Sequence, residues 1–183
     1  MQTAELFPHP TTPCPAVHRI TVYPSRDESG LLILDYLLEG DIAALLIPAA
    51  AESHRADELW RHTCFEAFLS AKGVDGYYEF NFAPSTEWAI YRFTTYREGM
   101  ANAEPAAPPS FAVEHDERQL RLTARVDLRG LLPDAAARLR LGLTAVIESR
   151  DGGIAYWALR HPPGQPDFHH SDGFALEPAP PAA

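Results

Sequence analysis

Between His62 and Phe93 three short runs, His62–Leu69, Gly76–Phe82 and Trp88–Phe93, alternate apolar or aromatic residues with polar ones. A period of two sends successive side chains to opposite faces of a strand. The connections, Ala71-Lys-Gly-Val-Asp-Gly76 and Pro84-Ser-Thr-Glu87, have the Gly, Asp, Pro and Ser content of hairpin loops. Consecutive hairpins of this kind commit a chain to antiparallel sheet. One set of side chains can build a core. The other carries Glu66, Glu79 and Asn81, with Arg92 close by, onto a common surface.

The remaining chain reads the same way. Val17–Tyr23 and Leu31–Leu38 alternate, and Ile42–Ile47 is an apolar run stopped by Pro48, the pattern of a buried strand. Phe111–His115 pairs with Leu120–Val126. Leu139–Glu148 pairs with Ile154–Arg160 through the turn Ser149-Arg-Asp-Gly-Gly153, and Phe174–Leu176 is a last short strand. Leu128–Ala137 has room for a short helix, Arg97–Ser110 is a long surface loop, and His161–Gly173 is a loop rich in Pro, Gly and His. About ten short strands separated by turn signals, with no long amphipathic helix, predict an all-β sandwich, immunoglobulin-like or jelly-roll in type. The expected organisation is a flexible Pro-rich arm over 1–15, one sandwich domain over 16–177 and a disordered tail over 178–183.

Size and charge narrow the function classes. At 183 residues one core fits comfortably and two would be crowded. A net charge of -10 argues against nucleic-acid and anionic-membrane partners, which need basic surface. Lys72 is the only lysine, so nearly every cation is a planar multi-donor guanidinium. No apolar run is long enough to span a bilayer as a helix, and Met1–Pro15 lacks the basic start and apolar stretch of a secretory signal. Cys14 and Cys64 do not make a disulfide scaffold. The expectation is a cytoplasmic protein.

Trp60-Arg-His-Thr-Cys-Phe-Glu66, Tyr77-Tyr-Glu-Phe-Asn-Phe-Ala-Pro-Ser85 and Tyr156-Trp-Ala-Leu-Arg-His-Pro-Pro-Gly-Gln-Pro-Asp-Phe-His-His170 together resemble bacterial DOMON-like domains, a group related to the family-9 carbohydrate-binding modules. The resemblance runs from about Val17 to Leu176. It implies a β-sandwich that binds a small ligand, sugar or haem, without catalysis. It also implies that Trp60 stacks on a sugar ring while Glu66 and Arg92 grip hydroxyls. A second clamping aromatic is expected late in the chain, with Trp157 and Phe168 as the candidates. Cys64 stands where relatives often carry an acid, which argues against a calcium site there.

Each candidate also has a plain structural reading. Glu66 and Glu79 serve either a ligand or an internal salt-bridge network. Sugar recognition needs carboxylate and amide acceptors, guanidinium donors and an aromatic plane. Trp88 and Trp157 suit the core, where large aromatics go. His161, His169 and His170 cluster near one loop with Asp167, but no compact metal-ligand spacing is present. His161 and His169 therefore read as pocket-lining or loop-pinning residues. Haem b would need Met100 with His161 or His169 as axial ligands, and the position of Met100 in a loop beside Gly99 argues against it. No nucleophile elbow or phosphate-cradling Gly loop occurs. The expectation is a non-catalytic recognition domain with no cofactor, whose ligand-binding residues are Trp60, Glu66, Glu79, Asn81, Arg92, Trp157, His161 and His169. Its expected partner is a small polar ligand, a sugar or sugar derivative. Two other classes stay open: a haem-binding electron-transfer domain and a protein-interaction accessory module.

Overall fold

The computed structural model describes residues 2–132 and 137–178. It is all-β, with β1 (Ala4–Pro8), β2 (Val17–Arg26), β3 (Leu31–Gly40), β4 (Cys64–Ala71), β5 (Tyr77–Phe82) and β6 (Trp88–Phe93). The chain continues through β7 (Ala101–Asn102), β8 (Ser110–His115), β9 (Gln119–Asp127), β10 (Leu139–Glu148) and β11 (Ile154–Ala158). The eleven strands lie in the order β7-β6-β5-β4-β10-β11-β1-β2-β3-β9-β8, and every neighbouring pair is antiparallel. No helix among the described residues is long and apolar enough to cross a membrane.

The sheet curls so that its two halves face each other. Ile20, Val22, Leu34, Tyr36, Leu122 and Ala124 of the β2-β3-β9 half share one buried cluster with Phe65, Ala67, Phe80, Ile90, Leu141 and Leu143 of the β4-β5-β6-β10 half. Tyr36, fully buried, ties the halves together. Its ring lies 5.1 Å from that of Phe65 and its hydroxyl donates to the Glu66 carbonyl at 2.8 Å.

Four local expectations are corrected. The Pro-rich arm contains strand β1, which joins the halves by pairing with β2 and with β11. Ala4 and Leu6 alternate with Glu5 and Phe7 and bury themselves, so the period-two rule holds between the prolines. The run Ile42–Ile47 is no strand: Ile42–Ala44 is a 3-10 turn, which places Ile42 and Leu45 on one buried side, as an i, i+3 spacing does. The surface loop after β6 contains the short strand β7, and the last strand reduces to a 3-10 turn, Ser171–Gly173, plus a single bridge between Leu176 and Leu141. The helix expected over Leu128–Ala137 begins as a 3-10 turn, Leu128–Gly130, capped by Asp127; residues 133–136 lie outside the described residues, as do 179–183 of the expected tail.

Candidate functional site

The outer face of the β4-β5-β6-β10 half is not left to solvent. Phe68, Tyr77, Ala89, Tyr91, Phe93 and Phe174 form a second apolar cluster there, packed by Leu59, Trp60 and Phe168 from loops. Register explains which strand residues reach it. In the β4-β5 pair Phe68 opposes Glu79 and Glu66 opposes Asn81, so all four project to one face. In the β4-β10 pair Thr144 opposes Glu66 and joins them.

Between this face and the covering loops lies a cavity of about 620 Å³. Its floor includes Glu66, Phe68, Glu79 and Phe93, and Tyr156 of β11 closes one side. Trp60, Arg97 and Met100 come from loops flanking β4 and β6, and Gln165, Phe168 and His169 come from the loop after β11.

The two acids sit in different surroundings. Glu79 accepts from the Asn81 side-chain amide at 2.8 Å and has a His169 ring nitrogen 3.7 Å away. Burial raises its pKa above the usual carboxylate range, although the Asn81 hydrogen bond and the Arg97 charge pull the other way. Glu66 is almost completely buried. Thr144 reaches its Oε2 at a long 3.4 Å, and among the described residues Oε1 has no hydrogen-bond partner. Burial, and then the neighbouring Glu79, push the Glu66 carboxyl well up, with Thr144 opposing. A buried polar atom without a partner costs on the order of 1–3 kcal/mol.

The loop after β11 is held by one carboxylate. Asp167 accepts from the Tyr96 hydroxyl, from the Arg97 guanidinium at 2.7 Å and from the His169 backbone N–H at 3.1 Å. Burial alone would raise the Asp167 pKa, but the Tyr96 and Arg97 hydrogen bonds bring it below the usual range. The Tyr77 hydroxyl accepts from the Arg97 N–H at 3.1 Å and lies 2.8 Å from Nδ1 of His169. Either the hydroxyl or Nδ1–H donates in that contact, according to the imidazole tautomer. The other ring nitrogen, Nε2, faces Glu79. Burial, then the Arg97 charge, lower the His169 pKa to about 4, so the imidazole is neutral at neutral pH and does not compensate the acids.

Trp60 follows the 3-10 turn entrance at Glu58, a residue at φ 62. Its ring meets Tyr91 edge-on at 5.9 Å. Tyr91 in turn donates to Asp57 at 2.6 Å and lies under the Arg55 guanidinium at 5.3 Å.

Trp60, Glu66, Glu79 and His169 thus line one cavity, and Asn81 supports Glu79 from beside it. Three of the expected ligand contacts lie away from this cavity. Arg92 opposes Tyr78, so it shares the inner-face parity of Trp88 and Ile90 and emerges exposed at the end of β6. Trp157 belongs to the inner core, because its β11 neighbours Tyr156 and Ala158 take the outer face opposite Val146 and Thr144. Of the two late aromatics, Phe168 lines the cavity. His161 does not line it; its Nε2 is bound at 2.8 Å to the Phe7 carbonyl.

Arg97, Gln165 and Thr12 also line the cavity and were not foreseen. Arg97 stands in a turn at φ 57, beyond the alternation of β6, so no periodicity points to it. Met100 and His169 both line the cavity, yet the residues present do not fit haem axial ligation: Nδ1 of His169 is bound by Tyr77 and its Nε2 faces Glu79. No group of three or more His, Cys, Asp and Glu among the described residues has the arrangement of a metal site, and Cys14 and Cys64 are both free and buried.

No protein-family model matches the chain, and no curated protein does. The DOMON-like resemblance therefore rests on its motifs alone. Among solved structures, the fold is similar to that of a candidate carbohydrate-binding protein from Bacteroides uniformis, with a TM-score of 0.64 at 14% identity over 92% of this chain and 83% of that one. A family-9 carbohydrate-binding module from Caldicellulosiruptor kristjanssonii, solved in complex with glucose, matches with a TM-score of 0.47 at 11% identity over 80% of this chain and 69% of that one.

Proposed function

We propose that the cavity over β4 and β5 binds a small polyhydroxylated ligand, a carbohydrate, and that the protein recognises this ligand without transforming it. One observation carries the reading: Glu66 places a buried carboxyl oxygen, unpartnered among the described residues, on the floor of a cavity walled by Trp60, Tyr156 and Phe168. Aromatic faces take the C–H surface of a sugar ring, and convergent polar groups fix its hydroxyls. Glu66, Glu79, Gln165 and Arg97 supply those groups here. The cavity volume suits a mono- or disaccharide within the usual range of about 300–1,000 Å³ for small-molecule sites. Carbohydrate as the ligand class also accords with the description of the Bacteroides protein that shares the fold.

The test is a thermal-shift and calorimetric screen against mono- and disaccharides. A ligand that binds only the folded state raises the melting temperature once well above its Kd. Trp60 is only partly buried, so Trp60→Ala is expected to leave folding intact and reduce sugar affinity about tenfold or more, the worth of an aromatic contact of about 1.4 kcal/mol. Sugar binding that survives this substitution unchanged refutes the stacking role. Silence across the panel refutes the reading itself.

A further inference from the structure

Among the described residues no cation bears on Glu66, the more deeply buried acid of this cavity. Groups on every packed element bear on Glu66: Glu79 from β5, Cys64 from its own strand, Tyr36 from β3 and Thr144 from β10. None of these is cationic. The loops contribute Arg97, His169, Tyr77 and Asp167. Arg97 is tied to Asp167 at 2.7 Å and packs over the Tyr96 ring at 5.8 Å, and its charge bears on Glu79 rather than on Glu66. His169 is neutral for the reasons given above. Both carboxyls are nevertheless buried on one floor with aromatic walls. An acid beneath aromatic faces is the arrangement that attracts an organic cation, through the ring quadrupole and through a charge-assisted hydrogen bond.

We infer that the group this cavity receives at Glu66 is a protonated primary amine, so that the preferred carbohydrate is an amino sugar with a free ammonium rather than its neutral or N-acetylated counterpart. The inference rests on the carbohydrate reading and specifies the ligand further. An ammonium has three donors and no acceptor. It can satisfy Oε1 of Glu66, which lacks a partner among the described residues, while also balancing Glu79. A neutral hydroxyl offers one donor and no charge. The proton balance follows from the raised Glu66 pKa. The ligand enters as R–NH3+, any proton that the raised pKa leaves on the Glu66 carboxyl passes to solvent, and the complex holds a carboxylate–ammonium pair. Each binding event then releases up to one proton.

The experiment is isothermal titration calorimetry of the whole chain with glucosamine, glucose and N-acetylglucosamine, at about pH 6 where an amine is protonated, in two buffers of different ionisation enthalpy. Glucosamine is expected to bind at least about tenfold tighter than glucose, equivalent to about 1.4 kcal/mol, with a heat that depends on the buffer. Glu66→Gln keeps the side-chain shape and removes the charge, and the ratio of the two affinities is expected to collapse toward one. Circular dichroism establishes that this variant folds. Should it not fold, the buffer-dependent heat of the wild type and the same ratio in Glu79→Gln decide the matter. Glucose bound as tightly as glucosamine, in a manner lost in Trp60→Ala, overturns the amine inference and leaves the carbohydrate reading standing. A preference for the amine that persists in Glu66→Gln also overturns the inference. No binding of any of the three sugars overturns both.

Discussion

Asp167→Ala should loosen the loop that roofs the cavity, by an amount that can be worked from its contacts. The carboxylate receives a tyrosine hydroxyl, a guanidinium and a backbone N–H. Its side chain is 18% exposed and that of Arg97 is 50% exposed, so the ion pair itself contributes only about 0.5 kcal/mol. The hydrogen bond from the His169 N–H lies deeper and contributes about 1 kcal/mol, while that from the half-exposed Tyr96 contributes about 0.5 kcal/mol. The expected destabilisation is about 2 kcal/mol, seen as a urea midpoint lowered by about 1 M at unchanged slope. Local opening should exceed global loss, so amide exchange in 160–174 should accelerate before that of β4 or β10. The loop also carries Phe168 and His169 against Phe68 at 6.3 and 5.0 Å. A change below about 0.5 kcal/mol with unaltered loop exchange would show that these ring contacts, and not Asp167, hold the roof.

Further outcomes follow from the same geometry. The pKa of Glu66 is raised in the folded state by burial and by Glu79, so its contribution to stability is complete below the unfolded value of about 4.3 and is lost as pH rises through the folded value. The melting temperature of the ligand-free protein should therefore fall with rising pH above that range, and Glu66→Gln should flatten this portion of the profile. Asp167 behaves oppositely: its lowered pKa gives stability that is present at neutral pH and disappears on acidification, and Asp167→Ala should remove this acid limb. Tyr36→Phe deletes the 2.8 Å hydrogen bond to the Glu66 carbonyl inside the core and should cost about 1–2 kcal/mol in chemical denaturation. Arg92→Ala, on the exposed end of β6, should leave both sugar affinity and stability within about 0.5 kcal/mol of wild type, and a large loss of affinity would return Arg92 to the binding site.

How much of this was legible in the sequence depended on whether a residue's place was set by alternation or by register. Glu66, Glu79 and Asn81 could be put on one face because β4 and β5 alternate and the turn between them is short. Arg92 could not, because both faces of β6 are apolar: Trp88 and Ile90 serve the inner core while Ala89, Tyr91 and Phe93 serve the outer cluster. Nothing in a strand buried on both sides says which parity faces the ligand, and a slip of one residue exchanges the faces. Trp157 went to the core, the place that large aromatics suit, and its parity is decided by the Thr144–Ala158 pairing, since β11 is flanked by β10 and β1. Strand β1 was hidden by its prolines. Pro8 ends it and Pro10 follows, and only the alternation of Ala4 and Leu6 marked it. Arg97 and Gln165 lie in turns and loops, where tertiary contacts and not periodicity choose the direction of a side chain.

Glu66 is the one acid among the described residues with a buried oxygen that lacks a hydrogen-bond partner, and that lack has a direction. Elsewhere in the sandwich the Tyr36 and Tyr78 hydroxyls find carbonyl acceptors at 2.8 and 2.6 Å, whereas the indole N–H groups of Trp88 and Trp157 are buried without a partner among the described residues. At Glu66 the strand alternation buries a carboxyl beside a second one and leaves it short of a donor. Stability alone would favour an apolar residue there, surrounded as it is by Phe68, Val146 and Trp60 on the same lining. A neutral isostere should therefore stabilise the ligand-free protein at neutral pH. Leucine or glutamine at this position, measured by denaturant titration, is expected to equal or exceed the wild type in stability while losing ligand affinity. If both substitutions destabilise the free protein by more than about 1 kcal/mol, Glu66 is a structural acid whose needs are met within the fold, and the argument that its free oxygen awaits a ligand fails.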